Sequence, residues 1–290
     1  MLGILVVHKQ QGITSHDAVN AARRKLGTRR VGHSGTLDPM ATGVLVLAVG
    51  AATRFLQYLP LEPKVYEGEI TFGASTDTLD AEGEIVKTCA VPRNLRDLIL
   101  LERIQFLGQI QQVPPMFSAI KQNGQPLYAL AREGKEVVRE PRTVFIDSFD
   151  LSEFGEQTAQ FRVVCSGGTY VRTLANDLGE AVGCGAHLSA LRRTSVGSFT
   201  LDDAVSLEDI VPDRLIPLRS ALRGIPMVEL NDLEVRRVRD GNYITAPYPV
   251  AGRFAALLDE QGDVFSMARV QENRLQPDCV IPRELLHGPL

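Results

Sequence analysis

The segment GHSGTLDPMATGVLVLAVG, residues 32–50, carries a single carboxylate, Asp38, between a glycine-rich turn and an apolar run. Pro39 stiffens the backbone directly after it, and Gly32 and Gly35 leave room for a second backbone to approach. Two readings are open from these residues. An Asp-Pro pair often does no more than start a turn. A carboxylate fixed at the mouth of a buried strand could instead attack an electrophilic carbon or take a proton. Phosphate-loop and dinucleotide chemistry have no support, because neither G-x-x-x-x-G-K-[ST] nor a G-x-G-x-x-G after the first strand occurs. Metal chemistry has none either. The four cysteines, Cys89, Cys165, Cys184 and Cys279, form no C-x-x-C pair and none lies at ligand spacing from a histidine. They read as free thiols in a reducing cytoplasm.

The net charge of −4 argues weakly against a polyanionic partner, but the charges are unevenly spread. Arg23, Arg24, Lys25, Arg29 and Arg30 fall within eight residues that hold no acid. Arg132, Lys135, Arg139 and Arg142 form a second cluster, and Arg192–Arg193 and Arg236–Arg237 with Arg239 a third and fourth. Any one of these would pass as a solvated helix face. Together on a net-acidic chain they predict a basic face turned toward a polyanion.

The elements that must hold these residues can be read from periodicity. With 290 residues, 44% apolar and 23% charged, the chain can form one large domain or a large one with a small one. The opening MLGILVV lacks the basic flank and cleavage site of a signal peptide and reads as a strand over residues 3–8. No run approaches the ~18 apolar residues of a membrane span. Ser15 is the expected N-cap of a helix over residues 16–26, stopped by Gly27. A buried strand is expected at 44–49, a short helix at 51–59, and a half-buried strand at 64–73. Helices are expected at 95–106, 127–132 and 170–182, strands at 144–149 and 161–165, and a loop leading into LRRTSVG. Beyond a break near residues 212–230, a helical patch and strands at 253–258 and 264–270 predict a small β-rich module. The expected division is 1–223 and 224–290, and the class is α+β, since strands and helices mix without a βαβ rhythm.

GHSGTLDPMATGVL resembles the signature G-H-x-G-T-L-D-P-x-A-x-G-V-L of the TruB-type tRNA pseudouridine synthases. GILVVHKQQGITSHDAV, KVYEGEITFGASTDTLDAEGEI, QQVPPMFSAIKQNGQPLYALAREG, CSGGTYVRTLANDLG and LRRTSVGSF resemble that family's further motifs in order and spacing. The likeness runs from Gly3 to about residue 200, and more weakly onward, where the chain resembles a small or divergent PUA-like RNA-binding domain. Gln10, Ser34, Phe117 and Gly167 depart from the usual proline, threonine, tyrosine and lysine.

The resemblance implies a pseudouridine-synthase-like mixed sheet and isomerisation of uridine at position 55 in the T loop of tRNA. The glycosidic bond breaks, the uracil turns, and C5 rejoins the ribose, so no cofactor is needed. It makes Asp38, Tyr66 and Arg172 catalytic. Arg172 would keep Asp38 ionised, and Tyr66 would stack on the flipped base or act at C5. His33, Tyr170, Leu191, Asp80 and Lys9 would bind substrate, with Asp80 orienting RNA or Arg172. Arg23, Arg24, Arg29, Arg30, Lys121 and Arg132 would grip the RNA backbone. A cytoplasmic monomer acting on the T-stem loop, with no membrane partner, completes the expectation. The competing readings are a non-catalytic tRNA-binding or folding module on the same scaffold and a two-carboxylate glycosidase. The glycosidase lacks a second acid near the motif.

Overall fold

The computed structural model describes residues 1–122 and 124–286. Two compact units divide it: Met1–Pro39, Gly43–Leu61 and the chain from Ser198 onward form the first, and Met40–Thr42 with Glu62–Gly197 the second.

The first unit begins with β1 (Gly3–Lys9), α1 (Ser15–Lys25), β2 (Val31–His33) and β3 (Thr42–Val49). β3 pairs antiparallel with both β1 and β2. Residues 44–49 are apolar without alternation because both faces of the strand are covered, and each is fully buried. α1 starts one residue earlier than the sequence suggests. Its N-cap is Thr14, whose hydroxyl accepts from Asp17 N at 3.1 Å while the Asp17 carboxylate accepts from Thr14 N at 2.9 Å. That capping box leaves the Ser15 hydroxyl free for a tertiary contact. The helix expected at 51–59 is a 3-10 helix over Gly50–Tyr58.

The second unit contains β4 (Lys64–Phe72), the hairpin β5 (Ala74–Thr76) and β6 (Ile85–Thr88), α2 (Leu95–Glu102) and β7 (Gly108–Gln112). The short pair β8 (Lys121–Gln122) and β9 (Gln125–Pro126), α3 (Leu127–Arg132), β10 (Arg142–Ser152), β11 (Thr158–Cys165), α4 (Val171–Val182) and β12 (Ala186–Val196) complete it. Its sheet runs β12-β4-β11-β10-β7, with α4 packed on β12. Two expectations are corrected here. The expected loop after α4 is the eleven-residue strand β12, whose alternation is broken by irregularities at Leu188/Ala190 and Arg193/Ser195. Residues 95–106 split into α2 and a 3-10 turn at Arg103–Phe106. At Gly68 in β4 any side chain would meet the Ala190 carbonyl and the Phe161 ring, so glycine lets both neighbouring strands close.

The first unit resumes with β13 (Phe199–Thr200), α5 (Leu218–Ala221), β14 (Met227–Glu229), α6 (Asp232–Arg239) and β15 (Ile244–Thr245). β16 (Phe254–Leu258), β17 (Val264–Gln271), β18 (Arg274–Val280) and α7 (Arg283–Leu286) follow. Strands β14-β16-β17-β18-β15 form a sheet over a core that includes Val228, Val238, Leu257, Phe265 and Leu275. β16 and β17 match the two expected strands. β18, with Pro277 and an exposed Asp278, carried no legible strand pattern. The last four residues of the expected 224–290 module lie outside the described residues. All four cysteines are free thiols; Cys165 and Cys184 are buried, and burial pushes the Cys165 thiol up to about 11. No helix among the described residues is long and apolar enough to cross a membrane.

Within the first unit, the Tyr58 hydroxyl donates to the Asp278 carboxylate at 2.6 Å, and Arg269 pairs with the same carboxylate at 2.7 Å. Those two partners, Tyr58 first, hold the Asp278 carboxyl below its ordinary value, whereas burial followed by this hydrogen bond raises the Tyr58 phenol. A depressed carboxyl contributes stability that is complete above the unfolded value of about 4 and is lost as pH falls through the lower folded value. Thermal melts between pH 6 and pH 3 are therefore expected to fall less steeply for Tyr58→Phe than for wild type. Parallel curves would show that the hydroxyl contributes nothing to acid sensitivity.

Candidate active site

Asp38 sits half-buried in the loop between β2 and β3, and the backbone on both sides of it is tied down. The Ser15 hydroxyl accepts from Leu37 N at 2.8 Å and donates to Leu37 O at 3.0 Å. The Pro39 carbonyl accepts from Gly12 N at 2.9 Å and from the Lys9 ammonium at 3.2 Å, and Lys9 also donates to Gln10 O at 2.9 Å. Lys9 has no exposed surface, and a buried ammonium is tolerated because carbonyls receive it. It therefore braces the loop from behind. At Gln10, where the family usually carries proline, the backbone carbonyl makes the contact and the side chain is exposed. His33 ends β2, half-buried and in register with Leu47.

Ser15→Ala would leave Leu37 N and O without this partner inside the protein. A loss of about 1–3 kcal/mol of stability is expected, with isomerisation slowed more than RNA binding is weakened. A melt within error of wild type would remove Ser15 from the brace.

The second unit gathers Arg172, Asp80 and Tyr170 around the start of α4. Arg172 is 4% exposed. Its Nη1 donates to Thr78 O at 2.8 Å and to the Asp80 carboxylate at 3.2 Å, and its Nη2 donates to Phe117 O at 2.8 Å. Asp80, 3% exposed, also accepts from the Thr78 hydroxyl at 2.6 Å and from Glu82 N at 3.1 Å. Its loop hangs on β12, since Leu188 N donates to Leu79 O and Ala81 N to Leu188 O. Asp80 is thus in direct contact with Arg172, the arrangement that the second of its two expected roles requires. Phe117 serves Arg172 through its carbonyl, so the departure from tyrosine leaves that contact intact. Tyr170, the N-cap position of α4, is held by Gln112, which is 2% exposed. The Gln112 carboxamide accepts from Tyr170 N at 2.8 Å and donates to Tyr170 O at 3.1 Å. Gln112 opens the QVPPMFSAIK stretch that carries part of the family resemblance, but no local signal links it to Tyr170, 58 residues away.

Tyr66 and Leu191 share one face of the sheet. Tyr66 in β4 is in register with Arg193 of β12 and Val163 of β11, and Gly68 with Leu191. Both side chains are 7% exposed. The Thr42 hydroxyl reaches Leu191 O at 3.5 Å. The expected Arg192–Arg193 surface cluster is corrected by the strand's period of two. Arg192 is exposed, but Arg193 turns inward and is 1% exposed. At Gly167, where the family usually carries lysine, the N–H donates to Glu62 Oε1 at 2.8 Å. A Cβ there would lie 2.6 Å from Glu62 Oε1 and 3.7 Å from the Lys64 ammonium, so a cation still stands beside this position.

Among the expected RNA-backbone residues, Arg24, Arg29, Arg30, Lys121 and Arg132 are exposed. Arg23 is half-buried and donates to Asn20 Oδ1 at 3.1 Å and Val31 O at 3.2 Å, so it is engaged in the fold of α1. The Arg132 guanidinium lies 5.6 Å over the Tyr128 ring.

Residues 23–171 match the TruB family pseudouridylate synthase (N terminal domain), and residues 172–221 match the tRNA pseudouridylate synthase B C-terminal domain. The chain is 48% identical over 230 residues to a tRNA pseudouridine synthase B of Opitutus terrae, covering 77% of this chain and 95% of that protein. It is 42% identical over 296 residues to one of Cupriavidus metallidurans, covering 96% and 94%. The fold is similar to a chain of the crystallised Cbf5-Nop10-Gar1 complex, with a TM-score of 0.75, 25% identity, and coverage of 98% of this chain and 86% of that one. With a family match across most of its length and relatives this near, the chain belongs to the TruB family of pseudouridylate synthases, enzymes that isomerise uridine in RNA.

Proposed function

We propose that this protein converts uridine to pseudouridine at position 55 in the T loop of tRNA, acting as a cytoplasmic monomer. The observation that carries the reading is the clamp on Asp38. Ser15 holds the residue before it and Gly12 and Lys9 hold the residue after it, inside the signature GHSGTLDPMATGVL. A carboxylate fixed in this way can meet C1′ or a sugar proton of a nucleotide without reorganising, which is what lowers a barrier. The target uridine leaves its stack to reach the carboxylate, and an RNA loop makes that less costly than a duplex.

Tyr66 and Leu191 bound the base, with the Tyr66 ring stacking on it or its hydroxyl acting at C5. Arg172, oriented by Asp80, binds the reacting nucleotide together with Tyr170. His33 fills space opened by the departing base. Lys9 acts through the Asp38 loop. Arg24, Arg29, Arg30, Lys121 and Arg132 attract phosphates, so affinity falls with salt. Residues 224–290 form a PUA-like RNA-binding module. A tRNA-binding module without catalysis would have no use for a braced carboxylate near phosphates.

The test is tritium release from transcribed tRNA carrying 5-tritiated uridine. One tritium per tRNA is expected from the wild-type sequence, and none when the T-loop uridine is replaced by cytidine. Release unaffected by that replacement would reject the position, and no release from either would reject the activity.

A further inference from the structure

Arg193 was read from sequence as part of a basic surface, yet it is one of the largest fully buried side chains in the protein, 1% exposed. Arginine cannot shed its charge on burial as lysine can, so its placement has to be compensated by what surrounds it. Its cross-strand partner is Tyr66, and the guanidinium lies 5.9 Å from the centre of the Tyr66 ring. Directly opposed residues on neighbouring antiparallel strands project from the same face, so the two side chains are held side by side by backbone pairing. On the far side of β4 the register partner of Tyr66 is Val163, which is fully buried and apolar. Burial, and after it the positive charge of Arg193, lowers the Lys64 ammonium below its ordinary value. The irregularity between Arg193 and Ser195 falls directly after this pair, a place where a bulge re-aims side chains.

We propose that Arg193 is a positioning residue for Tyr66, its guanidinium fixing the plane of the phenol ring so that ring and hydroxyl meet the target uracil in one orientation. A cation prefers the face of a ring to its edge. The ring therefore cannot tip without losing that attraction, and burial of Arg193, 1% exposed, limits how far the guanidinium can follow it. The proposal rests on the role given above to Tyr66, and it assigns Arg193 no contact with the substrate.

The experiment measures single-turnover tritium release and tRNA binding for Arg193→Met, Arg193→Lys, Tyr66→Leu and the double variant Arg193→Met/Tyr66→Leu, with thermal melts of each. Arg193→Met is expected to slow isomerisation by roughly tenfold or more while tRNA affinity stays within about threefold, with Arg193→Lys in between. In the Tyr66→Leu background, Arg193→Met is expected to change the rate by less than about twofold, because residues that act through one another are not additive. Losses that multiply, or an unchanged rate for both Arg193 variants, overturn the proposal. If Arg193→Met does not fold, Arg193→Lys carries the rate-against-affinity comparison, and failure of both to fold makes the arginine structural and overturns it too. A wild-type rate for Tyr66→Leu would instead reject the role of Tyr66, a result distinct from any outcome at Arg193.

Discussion

Asp38→Asn is expected to fold and to bind tRNA with near wild-type affinity while isomerising uridine about 10³-fold more slowly or worse. The ties that shape the loop run through the backbone of Leu37 and Pro39 and through Ser15, Gly12 and Lys9, none of which the substitution removes. Asparagine is close in size to aspartate, but its carboxamide has neither the charge nor the basicity to attack a carbon or take a proton. The loss should therefore appear in the chemical step with binding spared, the pattern of an interaction made only in the transition state. Single-turnover tritium release beside a tRNA binding titration separates the two. A rate within tenfold of wild type would remove Asp38 from the reaction. An equal loss of rate and affinity would make it a binding residue.

The second large effect is expected at Asp80, whose proposed role runs through its contact with Arg172. The two side chains are 4% and 5% exposed and pair at 3.2 Å. Truncating one member of a buried ion pair takes a compensating charge away from the other, at a cost of up to about 3–5 kcal/mol. For a protein of this size that corresponds to a melting temperature lower by about 10 °C. Asp80→Ala should therefore melt well below wild type and isomerise poorly, because Arg172 loses a carboxylate that aims it. Asp80→Asn, which can still accept from Thr78 and Glu82 N, should recover part of the stability and less of the rate. Asp80→Ala combined with Arg172→Met should cost less stability than the sum of the two single changes, since the stranded charge is gone. Additive losses, or an Asp80→Ala melt within about 2 °C of wild type, would show that the pair is not coupled in this way.

Much of the local structure was legible because the signals that specify it act over a few residues. The unbroken apolar run of β3, the alternation of β4, the amphipathic turns of α1 and the glycine stop at Gly27 each sit within or next to the element they define. The candidate residues Asp38, Tyr66 and Arg172 were legible for a different reason: they stand in motifs whose order and spacing match a known family. Strand β12 was missed because its irregularities interrupt the period of two that identifies a strand. The N-cap of α1 was displaced by one residue because Thr14 and Ser15 are both good caps, and only the long-range demand of Leu37 on the Ser15 hydroxyl decides between them.

The sequence alone determined which residues carry reactive groups and which short segments become strand or helix, because periodicity, capping and turn chemistry are local. Tertiary structure decided which residues contact the candidate ones, although the family resemblance had already offered Arg172 as one of two partners for Asp80. Gln112 on Tyr170, Asp80 on Arg172, Arg193 against Tyr66 and Ser15 on Leu37 are pairs separated by 58, 92, 127 and 22 positions. Hydrogen bonds and ion pairs depend on distance and burial, and a chain sets those only when its elements pack. The same arginine codes for a solvated surface or a buried support according to which face of a strand it falls on, as Arg192 and Arg193 do side by side.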